Sequence, residues 1–193
     1  MKTLVIGLCC LFPSLAMASE SGESTTTVPQ SGIWFKGGLG LAGASMGSSA
    51  SGEVIRHTGG GAALQLAIGG VVTPGLAVHA SLTSTASADA SYEVPEYGSS
   101  SSSDLAVGGL GLGVTYYWNQ ASLTARAQAG TGKGFGADDW SGTLIGWDWN
   151  YDFSATESRR WGVGIGYEGG TLSGGLGDTT YEAVNLMLNG TFY

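Results

Sequence analysis

His79-Ala80-Ser81 places a histidine and a serine two residues apart, which on a β-strand is the same face. With a carboxylate nearby, such a pair begins a hydrolytic triad, in which the imidazole takes the hydroxyl proton. The surrounding alternation sets Leu76, Val78, Ala80 and Leu82 against His79, Ser81 and Thr83. The pair therefore belongs to the polar face, and a hydrogen-bonded structural histidine is the plainer reading. The same face of other segments carries Lys36, Gln65, Arg126, Gln128, Asp148, Asp152 and Glu168. Enclosed charges must pair, because an isolated buried one costs several kcal/mol. Arg126 with Asp148 is the expected pair, with Glu168 one strand further on. The eight residues form either a salt-bridged polar cluster that plugs an interior or the lining of a narrow ion path.

Other chemistry finds little support. The acids Asp89, Glu93, Glu96, Asp104, Asp138, Asp139 and Asp178 lack the alternating spacing of a calcium loop and read as solvated. The glycine runs "GLGLG" and "GVGIG" lack the strand–turn–helix setting of a nucleotide loop. No catalytic, metal or cofactor site is expected.

These residues need elements to hold them. "MKTLVIGLCCLFPSLAMASE" has a cationic start, a short apolar run and a small-residue exit, the anatomy of a secretory signal peptide over 1–18. Both cysteines fall inside it, so the processed chain has no thiol for a disulfide or a metal. Residues 19–31 are polar and aperiodic, a flexible segment. Residues 32–193 are one domain. Charge is scarce, at 11% Asp, Glu, Lys and Arg against about 25% in typical soluble domains. After loss of Lys2, six Lys and Arg stand against fifteen Asp and Glu, a net −9 that argues against nucleic acid.

From Ile33 onward, strand patterns alternate with turn signals. "TLIGWDWNYDF" is the cleanest period-2 segment, with Ile145, Trp147, Trp149, Tyr151 and Phe153 opposite Asp148, Asn150 and Asp152. The whole pattern gives eight strands and no helix. Connections are short near Pro74, Asn119 and Glu157. Those near Glu53, Glu96, Ala137 and Gly175 read as longer loops, including all of Thr85–Ser103. This predicts an all-β fold, an eight-stranded antiparallel up-and-down transmembrane barrel.

Two features turn the apolar face toward lipid. The other face is mostly Gly, Ala, Ser and Thr, too poor in charge for a soluble exterior but suited to a narrow barrel interior. Moreover, Trp34, Phe35, Tyr116, Tyr117, Trp118, Phe153, Trp161, Phe192 and Tyr193 gather at the short turns and strand termini. Such a ring at one height is how a membrane interface places aromatics, and its girdle is assigned to Phe35, Tyr116, Trp118, Phe153, Trp161 and Phe192. A sparser set, Trp140, Trp147, Tyr167 and Tyr181, lies toward the other end.

The signal peptide, the eight alternating strands and a last strand, "EAVNLMLNGTFY", that ends on aromatics resemble the small outer-membrane barrel group of OmpX, the OmpA transmembrane domain and the opacity proteins. The resemblance is architectural and covers the chain from about Ile33. It implies residence in the Gram-negative outer membrane and contact with its lipids and lipopolysaccharide. It also implies insertion by the barrel-assembly machinery, which reads a terminal phenylalanine in the lipid-facing phase. Here that residue is Phe192, with Tyr193 one step beyond. A monomer is expected, with a structural or surface-interaction role. Lipid A deacylases, also eight-stranded, carry a His-x-Ser pair, but theirs faces lipid. A lipid A-modifying enzyme, a small porin-like pore and a secreted lipocalin-like barrel are the alternatives.

Overall fold

The computed structural model describes residues 29, 32–50, 53–94, 98–133, 139–155, 158–174 and 177–193. The leader expected over 1–18, most of the segment 19–31, Glu96 and Asp138 lie outside these. Eight strands follow in order: β1 (Ile33–Ala50), β2 (Glu53–Thr73), β3 (Leu76–Val94), β4 (Gly98–Trp118), β5 (Ala121–Lys133), β6 (Asp139–Ala155), β7 (Arg159–Gly174) and β8 (Gly177–Phe192). Each pairs antiparallel with its sequence neighbours. β8 returns to β1 through Phe35↔Phe192, Leu41↔Leu186 and Ser48↔Thr179, which closes the barrel. Closure leaves no unpaired edge, so every strand can satisfy its backbone within the wall.

At one end of the barrel, here the turn end, Pro74-Gly75 joins β2 to β3 and Asn119-Gln120 joins β4 to β5. Gly75 takes φ 82° after Pro74, and Asn119 takes φ 49°, left-handed geometries that these residue types tolerate best. At the opposite rim end the strands run much further than the hydrophobic alternation suggested. β3 continues to Val94 and β4 begins at Gly98, with Tyr92↔Ser100 and Glu93↔Ser99 still in register. The reading of Thr85–Ser103 as loop is thus corrected for the described residues of that stretch, and so is the longer loop expected near Glu53, where β2 already begins; residues 95–97, Ala137 and Gly175 lie outside the described residues. The reason is that backbone pairing does not need one apolar face. Ser, Thr and Tyr suit a pleated ladder, and side chains also staple it: Ser87 Oγ donates to the Gly60 carbonyl at 2.9 Å.

Along the apolar phase, side chains point out. Leu39, Leu41, Leu110, Leu112, Ile145, Leu186 and Leu188 are all more than half exposed. The opposite phase is buried and forms three layers. Nearest the turn end, Trp34, Ala77 and Tyr117 pack together, with Val71 and Tyr193 against them. The middle is polar and charged. Toward the rim, Met46, Leu105, Val107, Trp140, Leu144, Leu172 and Tyr181 make an apolar layer.

Two assignments of aromatics change accordingly. Trp34 and Tyr117 belong to the interior, because each sits one step out of phase with outward Phe35 and Tyr116. Trp140 and Tyr181 are also inside, 4% and 0% exposed, and are not part of an outer aromatic set.

Candidate functional site

Strand phase brings the polar side chains of the middle layer together. β6 supplies Asp148, Asn150 and Asp152, β5 Arg126 and Gln128, β2 Gln65, β3 His79 and Thr83, and β7 Glu168. All are buried. β7 makes room with glycines: a Cβ on Gly166 would stand 2.4 Å from Asp148 Oδ1, and one on Gly164 only 2.1 Å from Asn150 Oδ1. This explains "GVGIG" as a strand that yields its inward positions to the longer side chains of its neighbour.

Arg126 is the hub. Its guanidinium pairs with the Asp148 carboxylate and lies 3.6 Å from Glu168 Oε2. Gln65 Nε2 donates to Asp148 Oδ2 at 2.8 Å, and Thr83 Oγ1 donates to Glu168 Oε2 at 2.8 Å. Gln128 Nε2 donates to Ser81 Oγ at 3.2 Å. Five of the eight candidate residues, Gln65, Arg126, Gln128, Asp148 and Glu168, therefore form one network.

The other three stand apart. Asp152 pairs with Arg160, Nε to Oδ2 2.7 Å. Lys36 Nζ has no hydrogen-bond partner, and Asp148 and Asp152 attract it through space. His79 stacks on Trp34 at 4.9 Å between centroids, with Nε2 3.1 Å from Thr115 Oγ1. His79 and Ser81 thus face different partners, and at 2% and 1% exposure neither can meet a lipid acyl chain.

Arg160 was missed at the sequence level because it sits in the "TESRR" turn signal. Its parity with Glu168 on β7 marks it as inward. It also donates to the Asn119 carbonyl and lies 5.0 Å over the Tyr117 ring, while Trp34 Nε1 donates to Tyr117 OH at 2.5 Å. With Arg160 counted, Lys36, Arg126 and Arg160 face Asp148, Asp152 and Glu168 among the buried described residues. Three charges of each sign leave no net charge to be neutralised, the condition under which an enclosed set of ions is tolerable. Chemically the arrangement fixes charge in place.

On the outside at the turn end, Phe35, Tyr116, Trp118, Phe153, Trp161 and Phe192 are all exposed. Phe192 lies 6.5 Å from Phe35 and meets Trp161 edge-on at 5.7 Å. Tyr193 turns the other way, half-buried, with its ring 6.4 Å from inward Tyr117. Phe192→Ser should therefore lower the yield of inserted barrel several-fold, whereas deleting Tyr193 should lower it less. Membrane-fraction yields of the two variants test this, and the reverse order would reassign the phase.

No family model matches the chain, and no curated protein matches it in sequence. Solved structures do. Neisserial surface protein A aligns with TM-score 0.58 and 16% identity over 83% of this chain and 98% of that one. OprG from Pseudomonas aeruginosa gives 0.51 and 12% over 87% and 99%. Ail, the attachment invasion locus protein of Yersinia pestis, crystallised with the heparin analogue sucrose octasulfate, gives 0.50 and 12% over 83% and 99%. The fold is that of the small eight-stranded outer-membrane barrels.

Proposed function

We propose that this protein resides in the outer membrane with its apolar belt in lipid and its lumen sealed, and that it acts through the wall and strands that project at the rim end. The observation that carries this is the inversion of polarity: large apolar side chains cover the outside while six paired or mutually attracted charges are enclosed. The belt has a matching length. Ile145–Phe153 on β6 and Leu110–Trp118 on β4 each fall within the roughly 9–11 residues that a tilted strand needs to cross the hydrocarbon core. The aromatics at the turn end then mark the periplasmic interface.

Above the belt the outward positions change to Ser45, Thr58, Thr131, Thr143, Thr171 and Thr180. This polar collar is the surface left for contact with lipopolysaccharide, a host or a neighbouring cell. A conducting role is disfavoured by the apolar layer, since Met46, Val107, Leu144 and Leu172 are at most 1% exposed and offer an ion no ligand. Two measurements test the reading. The protein should fractionate with outer membranes and migrate faster on gels when unheated, and in planar bilayers it should show no discrete current steps. Recovery in the soluble periplasm would overturn the location, and steady single-channel conductance would overturn the sealed lumen.

A further inference from the structure

Between the β2–β3 wall and the Arg126 hub the lumen contains a cavity of about 10 Å³. Ala63 and Met187 give it an apolar side, while Gln65, Arg126, Asp148 and Asn185 line it with polar groups. The volume is close to the least that admits one water molecule.

Two of the lining side chains bring unmet hydrogen-bonding atoms to it. Asn185 is 8% exposed, and its Oδ1 accepts no hydrogen bond from the protein. Arg126 is 5% exposed, and its Nε donates none, because Glu168 Oε2 at 3.6 Å is out of hydrogen-bond reach. Its pairing with Asp148 runs through Nη1 and leaves Nε aside. The guanidinium is held in this position by its surroundings: a Cβ on Gly146 would stand 2.9 Å from Nη2 and 3.0 Å from Nε. Arg126 comes from β5 and Asn185 from β8, strands that do not pair, and the two atoms do not bond each other.

A buried donor and a buried acceptor that cannot meet are each costly to leave unmet, and protein interiors satisfy such atoms through ordered water. Whatever joins them must both accept and donate. A cation is repelled by the guanidinium and finds in the Nε–H no lone pair to bind. An anion would stand against the Asp148 carboxylate and the Asn185 carbonyl oxygen. A neutral molecule larger than water does not fit.

We propose that this cavity is a site for one ordered water, which accepts from Arg126 Nε and donates to Asn185 Oδ1. Its second O–H is then left for the Asp148 carboxylate on the same lining. Asn185 thereby joins the Arg126 network, and β8 is tied to β5 across the lumen by a contact that neither side chain makes alone. This goes beyond the sealed lumen, since a closed wall retains such a water but does not select its place.

The test is a crystal structure, at a resolution that shows ordered waters, of barrel purified from cells that express the full chain. Wild type should show one peak within about 3 Å of both Arg126 Nε and Asn185 Oδ1. In Asn185→Leu the larger apolar side chain fills the space and removes the acceptor, and the peak should be lost. In lipid nanodiscs, barrel carrying isotope-labelled arginine should give a magnetic-resonance cross-peak between the Arg126 Nε–H and a water of long residence, which the variant should lose. A direct bond between the two side chains in wild type, a cavity without a peak, or a peak unchanged in Asn185→Leu overturns the proposal. Heat-modifiable mobility reports whether the variant folds, and the wild-type structure decides alone if it does not. A water at this position that exchanges rapidly with bulk upholds the site and tells against the sealed lumen instead, so the two readings fail separately.

Discussion

Asp148→Ala should lower the free energy of unfolding from lipid vesicles by about 3–5 kcal/mol, the cost of breaking a buried ion pair from one side. Asp148 is 3% exposed and accepts from both Arg126 and Gln65. Its removal leaves the Arg126 guanidinium with Glu168 at 3.6 Å as its remaining counter-charge. Water cannot readily replace the carboxylate, because the apolar layer lies on one side and the Trp34–Tyr117–Arg160 stack on the other. The penalty is specific to unpairing. A quadruple variant, Lys36→Met, Arg126→Met, Asp148→Leu and Glu168→Gln, removes two charges of each sign, leaves the Arg160–Asp152 pair intact, and should fall within about 2 kcal/mol of wild type, since well-packed apolar replacements of buried ions are often neutral. Urea titrations followed by tryptophan fluorescence give both numbers. A single-variant loss under about 1 kcal/mol would mean that the lumen is wet enough to solvate Arg126, and the sealed interior would have to be abandoned.

Along the apolar belt, sequence and structure agree because one physical condition governs every second residue. Ile145, Trp147 and Trp149 must be apolar, their neighbours need not be, and the period shows. Beyond the belt that condition lapses. β3 past Thr85 and β4 before Asp104 hold their ladder without a lipid-facing stripe, so polar composition alone was misleading there. The interior was legible where charges stand on the inward parity, as with Arg126, Asp148 and Glu168. It was hidden where like residues sit side by side and either one could be the inward member. In Arg159-Arg160 it is Arg160, in Leu144-Ile145 it is Leu144, and in Trp34-Phe35 it is Trp34. Choosing between them requires carrying the parity along the strand from a residue whose side is fixed, as from Glu168 to Arg160. The apolar layer is hard to read for the same reason: Leu105 and Val107 open the β4 pattern beside serines and Leu172 stands in a glycine-rich stretch, where little alternation marks the inward member.

The sharpest discrimination between a lipid-facing belt and a soluble barrel comes from Leu186→Arg. Leu186 is 62% exposed, lies mid-belt on β8 and pairs with Leu41 and Ile165, both also outward. Because it packs against nothing in the interior, substitution removes no core contact and leaves no cavity. In water such a change is close to neutral and improves solubility. At the middle of a bilayer the same arginine costs roughly 2–4 kcal/mol, and the cost declines toward the interfaces. Thr171→Arg is the matched control. It is also outward and exposed but lies above the belt, so it should cost less than about 1 kcal/mol. Folding each variant into vesicles and measuring unfolding free energies separates the cases. A large difference between the two positions requires a solvent whose polarity changes along the strand, and only a membrane supplies that over the distance from Leu186 to the collar. Equal and negligible costs would place the apolar face in water, and with it would fall the location and the girdle role of Phe192 and Trp161.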